Sequence, residues 1–378
     1  MVARVENINP EVLRKCREQI GLSLSDVEKK VPKIAAIERE GFKPTFRQID
    51  TLAGLYKVPR WVFISESLPE QYQFNRNYSF RKFADDYEDI FCHAEIRRVT
   101  AMVERFRNLI LELREDMDEP VERFNPPESK SDASASGVAT QVRKWLGCAE
   151  ENFDFREWKE KLEEKNIFIF TTSKYPGWSR VSERRFRGLA IYHSILPIII
   201  INNSDTRRAQ TFSLFHELGH LLRKKSEIDD WKDSKKNVET WCNELAASVL
   251  MPAKAFQSVA NNFYVNDLND VSKIARRFKV SSYACLVRMK QLRIIDSENY
   301  QNLESKLKQY HEQQQRILRE ISTPITRSRP NEVLDQYGRI YTKAIFQAYH
   351  NQEIGLHKLC RLFDLKKVSD ALRLEKNL

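Results

Sequence analysis

The sequence has no long run of apolar residues. A helix that crosses a bilayer needs about 20 consecutive, mainly apolar residues, whereas the nearest candidate is the short stretch of residues 196–201, which has the pattern of a buried strand. The first residues also lack the apolar core of a secretory signal peptide. We therefore expect a cytoplasmic protein that does not contact membranes.

Paired cysteines are also missing. None of the six cysteines belongs to a C-x-x-C pair: Cys16, Cys92, Cys148, Cys242, Cys285 and Cys360. In a chain of 378 residues, this scatter predicts free thiols and argues against a disulfide framework or a zinc site made of cysteines. The net charge of +10 favours a polyanionic partner only weakly, because the basic residues are spread along the whole chain.

Changes in composition along the chain predict a multidomain, mainly α-helical fold. Short helical patterns alternate with turn residues near the N-terminus, and residues 25–28 have the form of a capping box, with Ser25 as the N-cap and Glu28 as its partner. A serine-rich stretch after residue 127 indicates a domain boundary. The predicted segments are an N-terminal helix-turn-helix bundle (1–68), a helical linker (69–128), an α+β domain (129–258), a helical region resembling a second helix-turn-helix (259–325) and a C-terminal helical tail (326–378).

The one sheet that the sequence predicts lies in the α+β domain. Its strands are predicted at residues 167–170, 188–192 and 196–201, followed by helices at 206–224 and 236–251. We expect the strand at 188–192 to lie at the edge of the sheet. An extended peptide could pair there with the free backbone groups of the strand.

The residues that carry the most chemical information are the HELGH sequence at 216–220, in the first of these helices. Residues four apart lie on almost the same face of a helix, so His216 and His220 can bind one zinc ion together. Glu217 is turned about 100° from His216 and can reach a water on that ion. Zinc brings the pKa of such a water to about 7, and Glu217 would take its proton during attack on a peptide carbonyl. The motif therefore predicts zinc-dependent peptide hydrolysis with one zinc per chain.

A third protein ligand is needed, because a catalytic zinc keeps only its fourth position open. The second predicted helix offers Glu239 and Glu244. Glu239 shares a helix face with Asn243 and with Ala246, which is small enough to let the two helices approach closely, so we favour Glu239. Asn243 would then be a candidate to hydrogen-bond one of the zinc ligands. Glu244 lies on a different side of the helix and stays the alternative.

The same region resembles the ImmA/IrrE family of metallopeptidases. The resemblance rests on residues 186–191, 197–202, 211–220 and 239–252. It implies a zincin-like peptidase fold for the α+β domain, zinc ligation by His216, His220 and Glu239, and the role of base for Glu217. The implied activity is that of a zinc metalloendopeptidase with a glutamate as third ligand. Because family members cleave transcriptional repressors, the implied substrate is a regulatory protein such as a repressor or an antitoxin-like regulator.

Residues 10–64 resemble the Cro/repressor-type helix-turn-helix that often precedes this peptidase. The resemblance implies DNA as a further partner, and the candidates to contact phosphates are Lys29, Lys30, Lys33, Arg39 and Lys43. The segment between Val27 and Ile37 is about three residues shorter than the usual turn and recognition helix. Two interpretations of this shortened segment stay open, weak DNA binding and a docking surface for the protein substrate.

Two alternatives to an enzyme also stay open. The chain could be a DNA-binding transcriptional regulator, or an antitoxin, whose zinc site is structural or sensory rather than proteolytic. The complete set of residues for activating water favours the enzyme.

A group of aromatic residues could stack on bases or pack between domains: Tyr72, Phe74, Tyr78 and Phe80.

Overall fold

The structure, a computed structural model, describes most of the chain. The described residues are 4–19, 22–39, 42–56, 58–69, 72, 78–81, 94–120, 122–128, 133–148, 151–174, 179–181, 186–226, 235–320 and 328–378.

Short helices form the N-terminal bundle. They are α1 (Pro10–Gln19), α2 (Leu24–Glu28), α3 (Ile34–Arg39), α4 (Phe46–Tyr56) and a 3₁₀-helix (Arg60–Ile64). Their apolar faces enclose one small core that extends from Val12 to Leu68. A buried ion pair joins α1 to α3, because Arg17 donates hydrogen bonds of 2.8 and 2.7 Å to the Glu38 carboxylate. The bundle is therefore held together by its own core and by this pair.

The second helix of the bundle has a different N-cap from the predicted one. Ser23 is the N-cap, and its capping box is completed by Asp26. The Asp26 amide donates to the Ser23 hydroxyl at 3.2 Å, and the Ser23 amide donates to the Asp26 carboxylate at 3.1 Å. Ser23 and Ser25 each precede an acidic residue by the three positions that a capping box requires, so the spacing does not distinguish them. The prediction of Ser25 and Glu28 was therefore wrong.

The remaining helices are long or clustered, and most follow the sheet in the chain. They are α5 (Ala94–Asp116), α6 (Ala135–Trp145), α7 (Phe155–Glu163), α8 (Arg207–Ser226), α9 (Lys235–Leu250), α10 (Ala253–Ala260), α11 (Leu268–Arg277), α12 (Ser282–Gln291), α13 (Ser297–Glu320), α14 (Arg329–His350), α15 (Leu356–Leu362) and α16 (Val368–Lys376). The prediction of a mainly α-helical chain is therefore confirmed.

One sheet of short strands lies between these helices. The strands are β1 (Tyr78–Arg81), β2 (Phe168–Thr171), β3 (Gly188–Ile191) and β4 (Ile198–Ile201), in the order β1-β3-β4-β2. β4 is parallel to β2 and antiparallel to β3, and β1 is antiparallel to β3. β3 is thus an inner strand, and the prediction that it lies at the sheet edge was wrong. β1, which belongs to the predicted linker, takes that edge.

Both faces of the sheet are buried, which explains why its strands are almost continuously apolar. Alternate residues of a strand point to opposite faces. Ile169 and Ile199 belong to a core with α6–α13, whereas Phe168 and Ile198 belong to a second core with α5 and α14–α16. The helices of the predicted linker and of the predicted tail therefore cover the second face. The division of the chain into five segments stays a prediction.

A polar cluster joins α7 to α14. This α7–α14 cluster consists of Lys159, Glu163, Asp335, Gly338 and Arg339. Lys159 Nζ donates to the Asp335 carbonyl at 2.7 Å, and the Arg339 amide donates to Glu163 Oε2 at 3.0 Å. Burial raises the pKa of Glu163 to about 7. α14 is interrupted at Gly338, with φ 73° and ψ 178°, and a Cβ at this glycine would collide with Glu163 Oε1.

In the described part of the chain, no helix has the length and apolarity to cross a bilayer. The described cysteines are free thiols, as predicted: Cys16, Cys148, Cys242, Cys285 and Cys360. Cys92 lies outside the described residues.

Candidate metal centre

The HELGH residues lie in the middle of α8, which is buried on almost all sides. Between residues 210 and 223, Phe212 is the single residue that is only partly buried. His216 and Glu217 have no exposed surface, and His220 is 4% exposed. Burial excludes bulk water, which strengthens the electrostatic interactions of these side chains with one another and with their neighbours.

α9 packs against α8 at close range. A Cβ on Gly219 would come within 2.9 Å of Cys242 Sγ and 3.2 Å of Leu245 Cδ2. Glycine is therefore the residue that leaves room for α9 at this point. Ala246, which the sequence suggested as a small contact residue, is fully buried. This approach brings Glu239 of α9 next to the two histidines of α8.

Three potential metal ligands, His216, His220 and Glu239, converge between the helices and form the α8–α9 cluster. The two histidine Nε2 atoms are 3.2 Å apart. The Glu239 oxygens lie 3.2 Å from His216 Nε2 and 3.4 Å from His220 Nε2. Ligands at about 2.0–2.1 Å from a tetrahedral zinc are about 3.3–3.4 Å apart, so the spacing fits one zinc ion bound by all three. Within the described residues, no other group of His, Cys, Asp or Glu is placed to hold a metal.

A hydrogen bond to Asn243 of α9 orients His216. Nδ1 of His216 lies 3.0 Å from Oδ1 of Asn243. Because an amide oxygen accepts and does not donate, Nδ1 carries the proton in this arrangement, and Nε2 keeps its lone pair for a metal. Asn243, which the sequence suggested as a partner of a ligand, therefore contacts His216 directly.

The electrostatic environment keeps Glu239 charged. Burial raises the pKa of this carboxyl group, but the hydrogen bonds and charges of His216 and His220 together outweigh burial and bring the pKa to about 2. The side chain of Glu239 is 41% exposed, in contrast to the two histidines. The α8–α9 cluster therefore meets solvent on the Glu239 side.

Glu217 packs against the first residue of β3. A Cβ on Gly188 would come within 2.5 Å of Glu217 Oε1 and 2.9 Å of its Cδ, so a larger residue would displace the carboxylate. Gly188 is thus a positioning residue for Glu217. Gly188 was not among the site residues predicted from the sequence. The signal that could have found it is a glycine at the start of an apolar strand, since such a glycine often marks a close approach of another group.

Asn202 holds the backbone just before Gly188. Its Nδ2 donates to the Phe186 carbonyl at 2.9 Å, and its Oδ1 accepts from the Thr172 hydroxyl at 3.0 Å. Asn202 directly follows β4, and Thr172 directly follows β2. Hydrogen bonds of Asn202 therefore link the backbone before β3 to the ends of β4 and β2.

The alternative third ligand, Glu244, is not part of the α8–α9 cluster. Its charge acts on Arg288, whose pKa is lowered by burial and raised in part by Glu244. Arg288 donates to the Met251 carbonyl at 3.2 Å. Glu244 therefore faces the α12 side of α9, and the structure groups Glu239 with the histidines.

The basic residues suggested as phosphate contacts are all exposed on the N-terminal bundle. They are Lys29, Lys30 and Lys33 between α2 and α3, Arg39 at the end of α3, and Lys43 after it. Lys29 lies 3.7 Å from Asp26, and Lys43 lies 3.1 Å from Glu6. Exposed ion pairs of this kind are weak, so both ammonium groups could exchange their partner for a phosphate. α3, which would be the recognition helix, has six residues.

The aromatic group is divided between several elements. Tyr72 packs against Trp61, with ring centroids 5.8 Å apart, and the Arg105 guanidinium of α5 lies 5.0 Å from its ring. Tyr72 therefore joins the N-terminal bundle to α5, which agrees with packing between domains. Tyr78 and Phe80 belong to β1, and Phe74 lies outside the described residues.

A family model matches the central part of the chain. Residues 163–290 match the family model Peptidase_M78, described as an IrrE N-terminal-like domain. No curated protein sequence matches the chain. Among solved structures, a Mycobacterium tuberculosis transcriptional regulator is similar at 14% identity and a TM-score of 0.31, over 41% of this chain and 46% of that chain. The chain thus spans less than half of that regulator, and so low a TM-score supports no conclusion about fold or function. Residues 163–290, which include α8 and α9, form a domain of the Peptidase_M78 family, and the resemblance to the ImmA/IrrE metallopeptidases is confirmed.

Proposed function

We propose that this chain is a zinc-dependent metalloendopeptidase that works in the cytoplasm and cleaves a regulatory protein. The observation that carries the proposal is the convergence of His216, His220 and Glu239 at the spacing of zinc ligands, inside a domain of a peptidase family. Glu217 lies next to this cluster in sequence and is buried with it.

The α8–α9 cluster would hold one zinc ion per chain. Bound there, zinc would act as a Lewis acid that makes water nucleophilic near neutral pH and polarises a peptide carbonyl. Asn243 supports ligation because it accepts the hydrogen bond from His216 Nδ1 and so fixes the tautomer of the ring. Glu239 supports it because it stays a carboxylate at any pH near neutrality.

Glu217 is the proposed general base. Its carboxylate accepts the proton of the attacking water and then passes that proton to the nitrogen of the leaving amine, so one side chain serves both halves of the hydrolysis. Contact with Gly188 holds the carboxylate in place. Positioning of this kind matters because misplacement of a reacting group by about 1 Å can lower a rate by about a hundredfold.

The substrate can be identified with a trap. Zinc-loaded Glu217→Gln protein keeps the binding groups but lacks the base, so it should retain a substrate that the unchanged protein releases as fragments. Pull-down from the native host with both proteins, followed by mass spectrometry, should enrich one partner on the Glu217→Gln protein. The purified partner should then be cut by the unchanged protein and stay intact with Glu217→Gln.

A repressor or an antitoxin-like regulator is the substrate class that we propose, since the peptidase domain and the N-terminal bundle both resemble parts of repressor-cleaving proteins. A partner that binds firmly and is never cut by the zinc-loaded protein would contradict the peptidase proposal. It would favour a regulator whose zinc site is structural or sensory.

DNA binding by the N-terminal bundle is a second candidate, favoured by the exposed basic residues around α2 and α3. Each phosphate contact makes the logarithm of affinity fall by roughly 0.9 per logarithmic unit of salt. Charge reversal by Lys29→Glu, Lys30→Glu and Lys33→Glu should therefore flatten the salt dependence, whereas Glu217→Gln should leave it unchanged. If deletion of residues 1–68 instead abolishes cleavage of the trapped partner while DNA retention stays at background, the bundle recognises the protein substrate.

A further inference from the structure

The backbone edge of β3 beside Glu217 is occupied by another segment of the same chain. Residues of β1 pair antiparallel with β3 over its whole length, with Tyr78 opposite Ile191 and Arg81 opposite Gly188. β1 also approaches α8. The strand that the sequence suggested as an open edge is therefore closed by residues that lie more than a hundred positions earlier in the chain.

The register of β1 brings its last residue to the level of the proposed base. Gly188, which directly opposes Arg81, is the residue against which Glu217 packs. Neighbouring strands are about 4.8 Å apart, so the backbone of residue 81 lies one strand spacing from the residue that positions Glu217. An extended polypeptide bound for hydrolysis by Glu217 would need this same neighbourhood.

β1 is one of the two edge strands of the sheet, and β2 is the other. β4 pairs with β2 on one side and with β3 on the other, whereas β1 has β3 as its single partner among the described strands. It is four residues long. Short pairing on one side is typical of segments that open locally while the rest of a domain stays folded. Release of β1 would expose the backbone groups of β3 without disturbing the pairing of β3 with β4.

We propose that residues 78–81 are an internal substrate mimic, which occupies the β3 edge and must leave before a substrate segment can bind. This inference rests on the proposed peptidase function. The substrate segment would be an extended stretch of a protein that adds to β3 in the antiparallel direction, as β1 does. Backbone pairing supplies the affinity in this mode of recognition, and the chain's own strand competes with the substrate for the same groups.

Two single proline substitutions test the proposal. Successive residues of an antiparallel strand direct their backbone groups alternately toward the partner and away from it. One of Ser79→Pro and Phe80→Pro therefore removes a hydrogen bond to β3, and the other places proline on the outer side, where an edge strand tolerates it. The two variants control each other, and Ser79→Ala and Phe80→Ala control for the lost side chains. All are made in the zinc-loaded Glu217→Gln protein, so that catalysis does not enter the result.

The first readout is hydrogen exchange in β3, and the second is binding of a fluorescent peptide with the sequence of residues 76–83. In the proline variant that loses a hydrogen bond to β3, the β3 amides that face β1 should exchange at least about tenfold faster than in the parent. The same variant should bind the peptide at least about tenfold more tightly than the parent does, because the competing strand is displaced. The other proline variant and both alanine variants should behave like the parent. A scrambled peptide of the same composition and charge should not discriminate between the variants.

Two results would overturn the inference. One is unchanged exchange of the β3 amides in both proline variants. The other is faster exchange without tighter peptide binding, which would mean that β1 merely covers the sheet edge. Neither result would touch the proposed function, since these experiments use a protein without the base. Conversely, if the peptide binds as expected but no trapped partner is ever cut, the docking surface stands and the peptidase proposal fails.

Discussion

The α8–α9 cluster and the α7–α14 cluster both bring ionisable side chains together between two helices, but they arrange them in opposite ways. In the α8–α9 cluster, three donor atoms converge on one point, and the pKa of Glu239 is lowered to about 2. In the α7–α14 cluster, Lys159 and Glu163 each bond to backbone groups of α14, and burial raises the pKa of Glu163 to about 7.

The difference separates a site built for a ligand from a contact built for packing. Side chains that converge at the spacing of metal ligands leave space for a metal ion between them. Side chains that bond to backbone groups instead stabilise the fold. Glycine has the same role in both regions. Gly188 makes room for Glu217, and Gly338 makes room for Glu163. The second glycine also has a backbone conformation that is almost restricted to glycine.

Removal of a ligand should have the largest effect. His216→Ala, His220→Ala and Glu239→Ala should each lose most of the bound zinc, because three donors and not two are needed to hold it tightly. Metal content after dialysis, measured by mass spectrometry, gives the occupancy. Glu244→Ala is the matched control and should keep about one zinc per chain. Full occupancy in Glu239→Ala together with an empty site in Glu244→Ala would show that the third ligand has been assigned to the wrong glutamate.

Alanine at the two glycines should separate catalysis from stability. Gly338→Ala forces a residue with a Cβ into a strained conformation and into Glu163, so we expect a loss on the order of 2–4 kcal/mol in the free energy of unfolding. Gly188→Ala should keep the fold and the zinc but slow cleavage by about a hundredfold, because it displaces the proposed base.

Gly54→Ala is the neutral control for both glycine variants. A Cβ at Gly54 meets no atom within 4 Å, and alanine is the better helix former. Urea unfolding and cleavage of the trapped partner should both be close to those of the unchanged protein. Equal loss of stability in Gly188→Ala and Gly338→Ala, with no difference in cleavage rate, would remove the contrast between the two regions.

The smallest expected effect is a dependence of stability on pH. Glu163 has a pKa of about 7 in the folded protein and an ordinary value of 4.5. Between these values the folded chain holds a proton that the unfolded chain has lost, so the contribution of Glu163 to the free energy of unfolding falls as pH rises from about 4.5 to about 7. The fall should be roughly 1–3 kcal/mol. Chemical unfolding at several pH values should show a smaller fall in Glu163→Gln, and an identical profile would contradict the assignment.

Local patterns predicted the part of the site that lies within two helices. His216, Glu217 and His220 are fixed by the geometry of one helix, and Glu239 was favoured because of the face it occupies on the next. β2, β3 and β4 were also predicted to within a few residues, since both faces of the sheet are buried and these strands are mainly apolar. β1 lies in the predicted helical linker and was not predicted as a strand.

Contacts between distant residues could not be predicted in this way. Hydrophobic periodicity describes a segment and its buried face, and it carries no information about which segments pair. The pairing of β1 with β3 and the contact between Glu163 and Gly338 are both of this kind. For the same reason the sequence suggested an open edge at β3, which the structure closes with β1.

Zinc-dependent cleavage of the trapped partner tests the central claim most directly. The protein is stripped of metal with a chelator, zinc is added back, and cleavage is followed in the unchanged protein, in Glu217→Gln and in Glu163→Gln. We expect cleavage to return with about one zinc per chain in the unchanged protein and in Glu163→Gln, and to stay at least about a hundredfold lower in zinc-loaded Glu217→Gln. Cleavage that persists without metal, or that is unchanged in Glu217→Gln, would contradict the account.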